Sequence, residues 1–243
     1  MRIEIWSDVV CPWCYVGKRR LEAALAGFDH ADEVEVVYRS FQLDPSAPHR
    51  GTELTSETLA RRIGRAPDAV RDMQQQLVDT AAADGLELRL FETVHTNTAD
   101  AHRLLHLALA TGGPELQVRL KEALLSAYFE QARDVGDHDV LAEVAVAAGL
   151  DEERVRAVLA GAEYADLVAA DVRQARAYGA TGVPFFVFDQ RFAVSGAQPA
   201  DVFRQALDQA WAAAHPAPQP ALQAVGESGG DDAGACGLDG CAI

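Results

Sequence analysis

Between Arg2 and Ser7 apolar and polar side chains alternate, with Ile3 and Ile5 set against Glu4, which is the two-residue period of a β-strand. Directly after it, Cys11-Pro12-Trp13-Cys14 opens a stretch in which Gly17, Leu21, Ala24, Leu25 and Phe28 recur every three or four residues. That spacing predicts a helix from Pro12 to about Phe28 with one apolar stripe, and Pro12 suits the first turn, where its missing N–H would have no partner. Val34 to Leu43 returns to the two-residue period, Val34, Val36 and Tyr38 sharing a face, until Asp44-Pro45 closes it.

From about Thr55 to Tyr178 the pattern is helical and punctuated by glycine and proline, with no strand expected inside it. One helix begins near Pro67 and stops at Asp84-Gly85. Another carries Ala101, Leu104, Leu105, Ala108 and Leu109 on one face and ends at Gly112-Gly113. Leu116, Leu120, Leu124 and Tyr128 mark the next, Asp139 and Asp151 are read as caps of two short ones, and the last runs from about Glu163 to Gly179. Phe185 to Phe188 and Phe192 to Val194 then read as strands joined at Asp189-Gln190, with a closing helix from Pro199 to Ala214. Beyond His215 no period survives, as expected of a mobile tail. The organisation is α/β, in four parts: an opening domain over 1–50, an all-helical insertion over 51–178, the resumed domain over 179–214, and a flexible tail over 215–243 bearing Cys236 and Cys241.

With 49% apolar residues in 243, the chain can bury a substantial core. Its 37 acidic against 21 basic residues give a net charge of -16, which repels phosphate backbones and anionic lipid. Nucleic acid and membranes are therefore not expected partners, and no stretch approaches the roughly 20 apolar residues of a membrane helix. Met1-Arg2 leads straight into the first strand without the segments of a secretory leader, so a cytoplasmic location is expected. In a reducing compartment, two close cysteine pairs call for a redox or a metal explanation.

Only a thiolate attacks a disulfide, and a helix amino terminus favours one through unpaired N–H groups and about half a positive charge. Cys11 holds that position, and Cys14, one turn on, can displace what Cys11 captures. The metal alternative joins Cys11 and Cys14 to Cys236 and Cys241 as four zinc ligands. Zinc pairs usually sit on knuckle turns rather than on an amphipathic helix that follows a strand, which favours redox chemistry. Thr181-Gly182-Val183-Pro184 precedes the strand Phe185 to Phe188, where a cis Val183-Pro184 bond would leave backbone groups free to pair with an extended client. Trp13 is expected to be exposed and, like Val183, to contact substrate, while Trp6 fits a core as well as a client surface and Tyr15 is left open. His102 reads as a packed histidine, Asn97 and Thr98 as a helix cap, and Asp8 as a turn residue.

Taken together, Trp6-Ser7-Asp8-Val9-Val10-Cys11-Pro12-Trp13-Cys14-Tyr15, Asn97-Thr98-Ala99-Asp100-Ala101-His102-Arg103-Leu104 and Ala180-Thr181-Gly182-Val183-Pro184-Phe185-Phe186 resemble the DsbA-like branch of the thioredoxin superfamily, and within it the FrnE-type subgroup. The resemblance covers about Met1 to Ala214. It implies a thioredoxin-like fold split by a helical insertion, with Cys11 as nucleophile, Cys14 as resolving thiol and Pro184 as a cis proline facing them. The implied activities are dithiol oxidation, disulfide reduction and disulfide isomerisation on protein or small-molecule thiols and disulfides. No tightly bound cofactor and no metal are expected, only a thiol redox partner such as glutathione.

Cys236 and Cys241 resemble an extra cysteine pair, with four residues between, of some FrnE-type proteins. A flexible stretch of about 20 residues spans about 25 Å, so that pair is expected to reach Cys14 and shuttle electrons, an independent tail disulfide or metal site being the alternative. Periplasmic relatives carry a histidine where this chain has Trp13. Lacking that cation, the pair is expected to have a lowered Cys11 pKa and yet to be a weaker oxidant than DsbA, whose potential is about -120 mV. Two other functions compete. One is a glutathione-dependent isomerase or transferase of the 2-hydroxychromene-2-carboxylate isomerase or kappa type, which typically has serine at the nucleophile position. The other is a non-enzymatic client- or zinc-binding protein.

Overall fold

The computed structural model describes residues 1–216, so Cys236, Cys241 and nearly all of the expected tail lie outside the described residues. Its centre is a four-stranded sheet in the order β2-β1-β3-β4, made of β1 (Arg2–Ser7), β2 (Glu35–Ser40), β3 (Phe185–Phe188) and β4 (Phe192–Ser195). β1 is parallel to β2, with Ile5 opposite Tyr38, and antiparallel to β3, with Ile5 opposite Phe186. Parallel neighbours need a crossover, which α1 (Pro12–Ala26) provides. β3 and β4 are joined instead by the three residues Asp189, Gln190 and Arg191, the first two at positive φ (46° and 56°), the backbone sense that matches hairpin twist. β2 is shorter than the predicted Val34 to Leu43, because beyond Ser40 the chain leaves the sheet and the Leu43 N–H donates to the Asp8 carboxylate at 2.8 Å.

Six helices lie between β2 and β3: α2 (Thr55–Ile63), α3 (Pro67–Ala83), α4 (Ala99–Phe129), α5 (His138–Ala147), α6 (Glu152–Ala160) and α7 (Ala165–Ala177); α8 (Ala200–Ala214) follows β4. The stop expected at Gly112-Gly113 is a break inside α4, where Gly113 turns to φ 69°, ψ -169° and Pro114 restarts the helix. Asp151 caps α6 by accepting from the Arg154 N–H. The cap of α5 is Asp137, not Asp139: the Asp137 carboxylate accepts the Asp139 N–H, which places Asp139 inside the first turn.

The alternation along β1 sorts the core into two faces. Ile3 and Ile5 pack with Leu21, Phe28, Phe186 and Phe203 against α1 and α8, whereas Trp6 packs with Phe185, Val187 and Ala175 on the opposite face. A third cluster fills the insertion around Leu104, Leu120, Leu124 and Leu141. The insertion also closes the outer edge of β2, whose N–H and C=O groups would otherwise invite another strand. Gln117 accepts from the Tyr38 N–H at 2.8 Å and donates to the Tyr38 carbonyl at 2.9 Å, and Asp171 accepts the Ser40 N–H at 2.8 Å. The architecture is α/β, a thioredoxin-like sheet with a helical insertion. Among the described residues no helix is long and apolar enough to cross a membrane.

Candidate active site

At the end of β1, Ser7 passes into the turn Asp8-Val9-Val10, and Cys11 follows as the residue that caps the start of α1. Its backbone is extended (φ -96°, ψ 110°), Pro12 occupies the first turn, and the Cys14 N–H donates to the Cys11 carbonyl at 3.0 Å. Both side chains are free thiols and buried, while Trp13 between them is 41% exposed. The segment before β3 closes over the pair. Its Val183-Pro184 bond is cis, and the Cys11 thiol donates to the Val183 carbonyl oxygen at 3.6 Å. Gly17 lets α1 approach this segment: a Cβ there would meet Pro184 Cγ at 3.0 Å and Phe186 Cζ at 3.1 Å. Cys11, Cys14, Val183 and Pro184, chosen from distant parts of the sequence, are thus brought together, with Trp13 on the outer rim.

Burial raises Cys14, while the facing Cys11 sulfur and the Lys121 ammonium are among the groups that lower it. Cys11 is pushed up by the facing Cys14 sulfur and by burial. The two thiols are coupled, so the first proton is lost from the pair as a unit rather than from either sulfur alone. Cys11 stands at the helix start as expected.

Asp8, expected to be a turn residue, is wholly buried and acts as a hub. Its carboxylate accepts from the Val9 N–H at 2.8 Å, the Leu43 N–H at 2.8 Å and His102 Nε2 at 3.2 Å. Burial raises the Asp8 pKa, and the His102 bond, His102 charge, Leu43 bond and Lys121 charge outweigh it, so the group is lowered. His102 is also lowered, chiefly by burial, and donates as a neutral ring. The packed-histidine reading of His102 therefore holds, and its partner is the carboxylate of the active-site turn. Thr98 is the residue at the start of α4 but its side chain makes no cap hydrogen bond; Asn97 just before it accepts the Ala99 N–H through Oδ1 at 2.8 Å, while its Nδ2 donates to the Pro45 and Ala47 carbonyls at 3.1 Å. Tyr15 and Trp6 are core residues: the Tyr15 hydroxyl donates to Glu122 at 2.8 Å and the Trp6 indole to the Asp171 carbonyl at 2.8 Å.

Lys121 was not identified from the sequence at all. It reaches the site from α4, is fully buried, and donates to the Ser7 carbonyl at 3.5 Å. Ser7, whose buried hydroxyl has no hydrogen-bond partner among the described residues, was missed as well. A cavity of about 540 Å³ opens on the other side of Trp13, walled by Pro12, Leu43, Leu59, Met73, Leu77 and Phe129. The charged groups at its rim are already paired, with Asp44 3.1 Å from Arg62 and 3.0 Å from His95. Among the described residues no group of three or more histidine, cysteine or acidic side chains is placed to hold a metal ion.

A solved structure of a probable DsbA oxidoreductase from Streptomyces coelicolor is 48% identical, with a TM-score of 0.83, covering 100% of this chain and 99% of its own. The uncharacterised protein YwbO of Bacillus subtilis (strain 168) is 28% identical over 211 residues, which is 85% of this chain and 96% of that protein. The cytosolic disulfide reductase DsbM of Pseudomonas aeruginosa, solved with GSH, is 18% identical with a TM-score of 0.57, covering 86% of this chain and 98% of its own, and at that identity shows the shared fold alone. The family model of the DSBA-like thioredoxin domain matches residues 2–208, so the chain belongs to that family.

Proposed function

We propose that the protein is a thiol-disulfide oxidoreductase whose chemistry is the reversible formation of a disulfide between Cys11 and Cys14. The observation that carries this reading is the placement of two free thiols at the first turn of α1 under the Val183 carbonyl. The Cys11 thiolate attacks a client disulfide RS–SR′, the Cys11–SR bond forms and R′S⁻ leaves. The departing R′S⁻ takes the proton from Cys14, and the Cys14 thiolate displaces RS⁻ from Cys11. The pair is oxidised by two electrons and the client reduced by two, with one proton delivered to R′SH. The same steps reversed oxidise a dithiol client.

Trp13 and Val183 are the substrate contacts in this reading, the ring lying exposed beside the site and the Val183 backbone lying against Cys11. Without a cation at position 13 the potential falls below that of DsbA, which favours net reduction or isomerisation in a glutathione-buffered compartment. A cytoplasmic setting with glutathione as the thiol partner, placement in the FrnE-type subgroup, and electron exchange with Cys236 and Cys241 belong to the same proposal. The structural likeness to DsbM, a cytosolic disulfide reductase solved with GSH, supports the first of these.

The direct test is dithiothreitol-driven reduction of insulin, followed by precipitation of its B chain. Wild-type protein should accelerate it and Cys11→Ala should return it to the uncatalysed rate. A glutathione-stimulated isomerisation that survives Cys11→Ser would replace this reading with the glutathione-dependent isomerase. For the second pair, Cys236→Ser combined with Cys241→Ser should slow steady-state turnover with glutathione severalfold; an unchanged rate and an unchanged Cys11/Cys14 redox state would remove the shuttle.

A further inference from the structure

The cavity beside Trp13 is built largely by the helical insertion. α2 contributes Leu59 and Arg62, α3 contributes Met73 and Leu77, and Pro12 and Trp13 of the cysteine motif form the wall on the side of the thiols. Trp13, Leu43 and Met73, which are 41%, 45% and 41% exposed, gather large apolar side chains round this one opening, the mark of a binding surface rather than of scattered exposure. At about 540 Å³ the cavity falls within the range of about 300–1,000 Å³ typical of small-molecule sites.

The charged groups in its wall are satisfied within the protein. Asp44 is held by Arg62 and His95, and Asp8 by two backbone N–H groups and His102. The Thr55 and Tyr128 hydroxyls hold each other at 2.9 Å. Gln74 of α3 is different: it is 7% exposed, lies in the cavity wall, and its Oε1 has no hydrogen-bond partner among the described residues. A buried acceptor left unpaired is costly, and the soft terminal torsion of glutamine lets a small rotation turn it to the cavity. The far side of Gln74 borders a second cleft, beside Arg61, Arg65 and Arg71, which does not reach the cysteine motif.

We propose that this cavity selects the substrate of the Cys11/Cys14 pair, and that the substrate is a small, uncharged disulfide with an apolar body and one amide whose N–H donates to Gln74 Oε1. This inference rests on the oxidoreductase reading and names the substrate class of that same site. A polypeptide fits the cavity poorly, because every residue brings a backbone N–H and C=O that need partners and the wall has one amide to offer. Oxidised glutathione fits poorly too, since the groups that could meet its carboxylates are already paired. Glutathione as thiol donor needs no place inside the cavity, and insulin remains a slower substrate of the same pair. With its apolar half against Trp13 and Leu77, the substrate presents its disulfide to Cys11. Cys11 captures one sulfur, the other half leaves as a thiol, and Cys14 releases the captured half as a thiolate, so the substrate gains two electrons and one proton from the pair.

The test takes the full chain, reduced beforehand, through a single turnover with N,N′-dibenzoylcystamine, its N,N′-dimethyl analogue and oxidised glutathione. Dividing each rate constant by that of dithiothreitol with the same disulfide removes intrinsic reactivity. On that scale dibenzoylcystamine should exceed oxidised glutathione at least about tenfold, and its dimethyl analogue, which lacks the donor, about fivefold. Equal rates within either comparison would overturn the inference. Gln74→Leu, which removes the unpaired acceptor at similar volume, should abolish the preference for the amide over its dimethyl analogue; a preference that survives would also overturn it. If Gln74→Leu fails to fold, the wild-type comparisons decide alone. If no Cys11–Cys14 disulfide forms with any of the three, the oxidoreductase reading falls and this inference with it, whereas a disulfide formed without preference overturns this inference alone.

Discussion

Cys14→Ala is expected to turn the protein from a catalyst into a trap. Cys11 keeps its place at the start of α1 and its contact with the Val183 carbonyl, so capture of a client disulfide still proceeds, and an alanine has nothing with which to displace the captured sulfur. Turnover with a protein disulfide should fall about a thousandfold or more, since nucleophile and resolving group act as one unit. At the same time a mixed disulfide should accumulate to one equivalent per chain, mapped to Cys11 by peptide mass. Turnover that is unimpaired and needs glutathione would show that an external thiol resolves the intermediate and that Cys14 is dispensable.

The second large effect is structural and arises at Asp8. Asp8→Ala removes the acceptor of two backbone N–H groups and of His102, all in a region closed to water. Each stranded donor costs about 1–3 kcal/mol, and breaking a buried charged network costs about 3–5 kcal/mol, so a loss near the upper figure is expected in urea unfolding at neutral pH. The wild type should be acid-labile for the same reason. His102 is held neutral with its pKa lowered from 6.5, so as pH falls through 6.5 the unfolded chain binds a proton that the folded one refuses, and stability drops. Asp8 is lowered from 3.8, and a second loss follows below that value, as the unfolded carboxyl protonates before the folded one. In Asp8→Ala the Asp8 part of this slope should disappear.

Much of the fold is legible in the chain because its elements carry their own punctuation. β1 shows a clean two-residue period, α1 opens on Pro12, α4 breaks at Gly113-Pro114, and Asp151 stands where α6 needs an acceptor. The errors occur where tertiary contacts override local pattern. Asp137 and Asp139 both suit a cap by composition, and only the observed hydrogen bond decides between them. Val34 to Leu43 has strand character throughout, yet its end is pulled from the sheet by Asp8, a residue thirty-five positions away.

The same distinction separates the legible half of the site from the hidden half. Cys11, Cys14, Val183 and Pro184 announce themselves through spacing and a turn signal. Lys121 and Gln117 do not, because beside Leu116, Leu120 and Leu124 they look like the solvated face of an amphipathic helix. α4 is buried on that side too, against the end of the sheet, so its polar residues point inward. A signal was present in the i, i+4 spacing of Gln117 and Lys121 alongside an apolar stripe, but it acquires meaning only once the strand edge it satisfies is known. Ser7 lies next to the cysteine motif and still escaped, and Asp8 reads first as a turn residue, since a serine and an aspartate after a strand are ordinary there.

The central claim is that Cys11 and Cys14 form one reversible two-electron couple. Wild-type protein equilibrated across a glutathione series, quenched by alkylation and mapped by peptide mass, tests it directly. The account predicts a single two-electron transition in which Cys11 and Cys14 lose their thiols together to an internal disulfide, with a potential more negative than about -120 mV. Cys11 accumulating as a glutathione adduct while Cys14 stays alkylatable, with no internal bond at any poise, would contradict it.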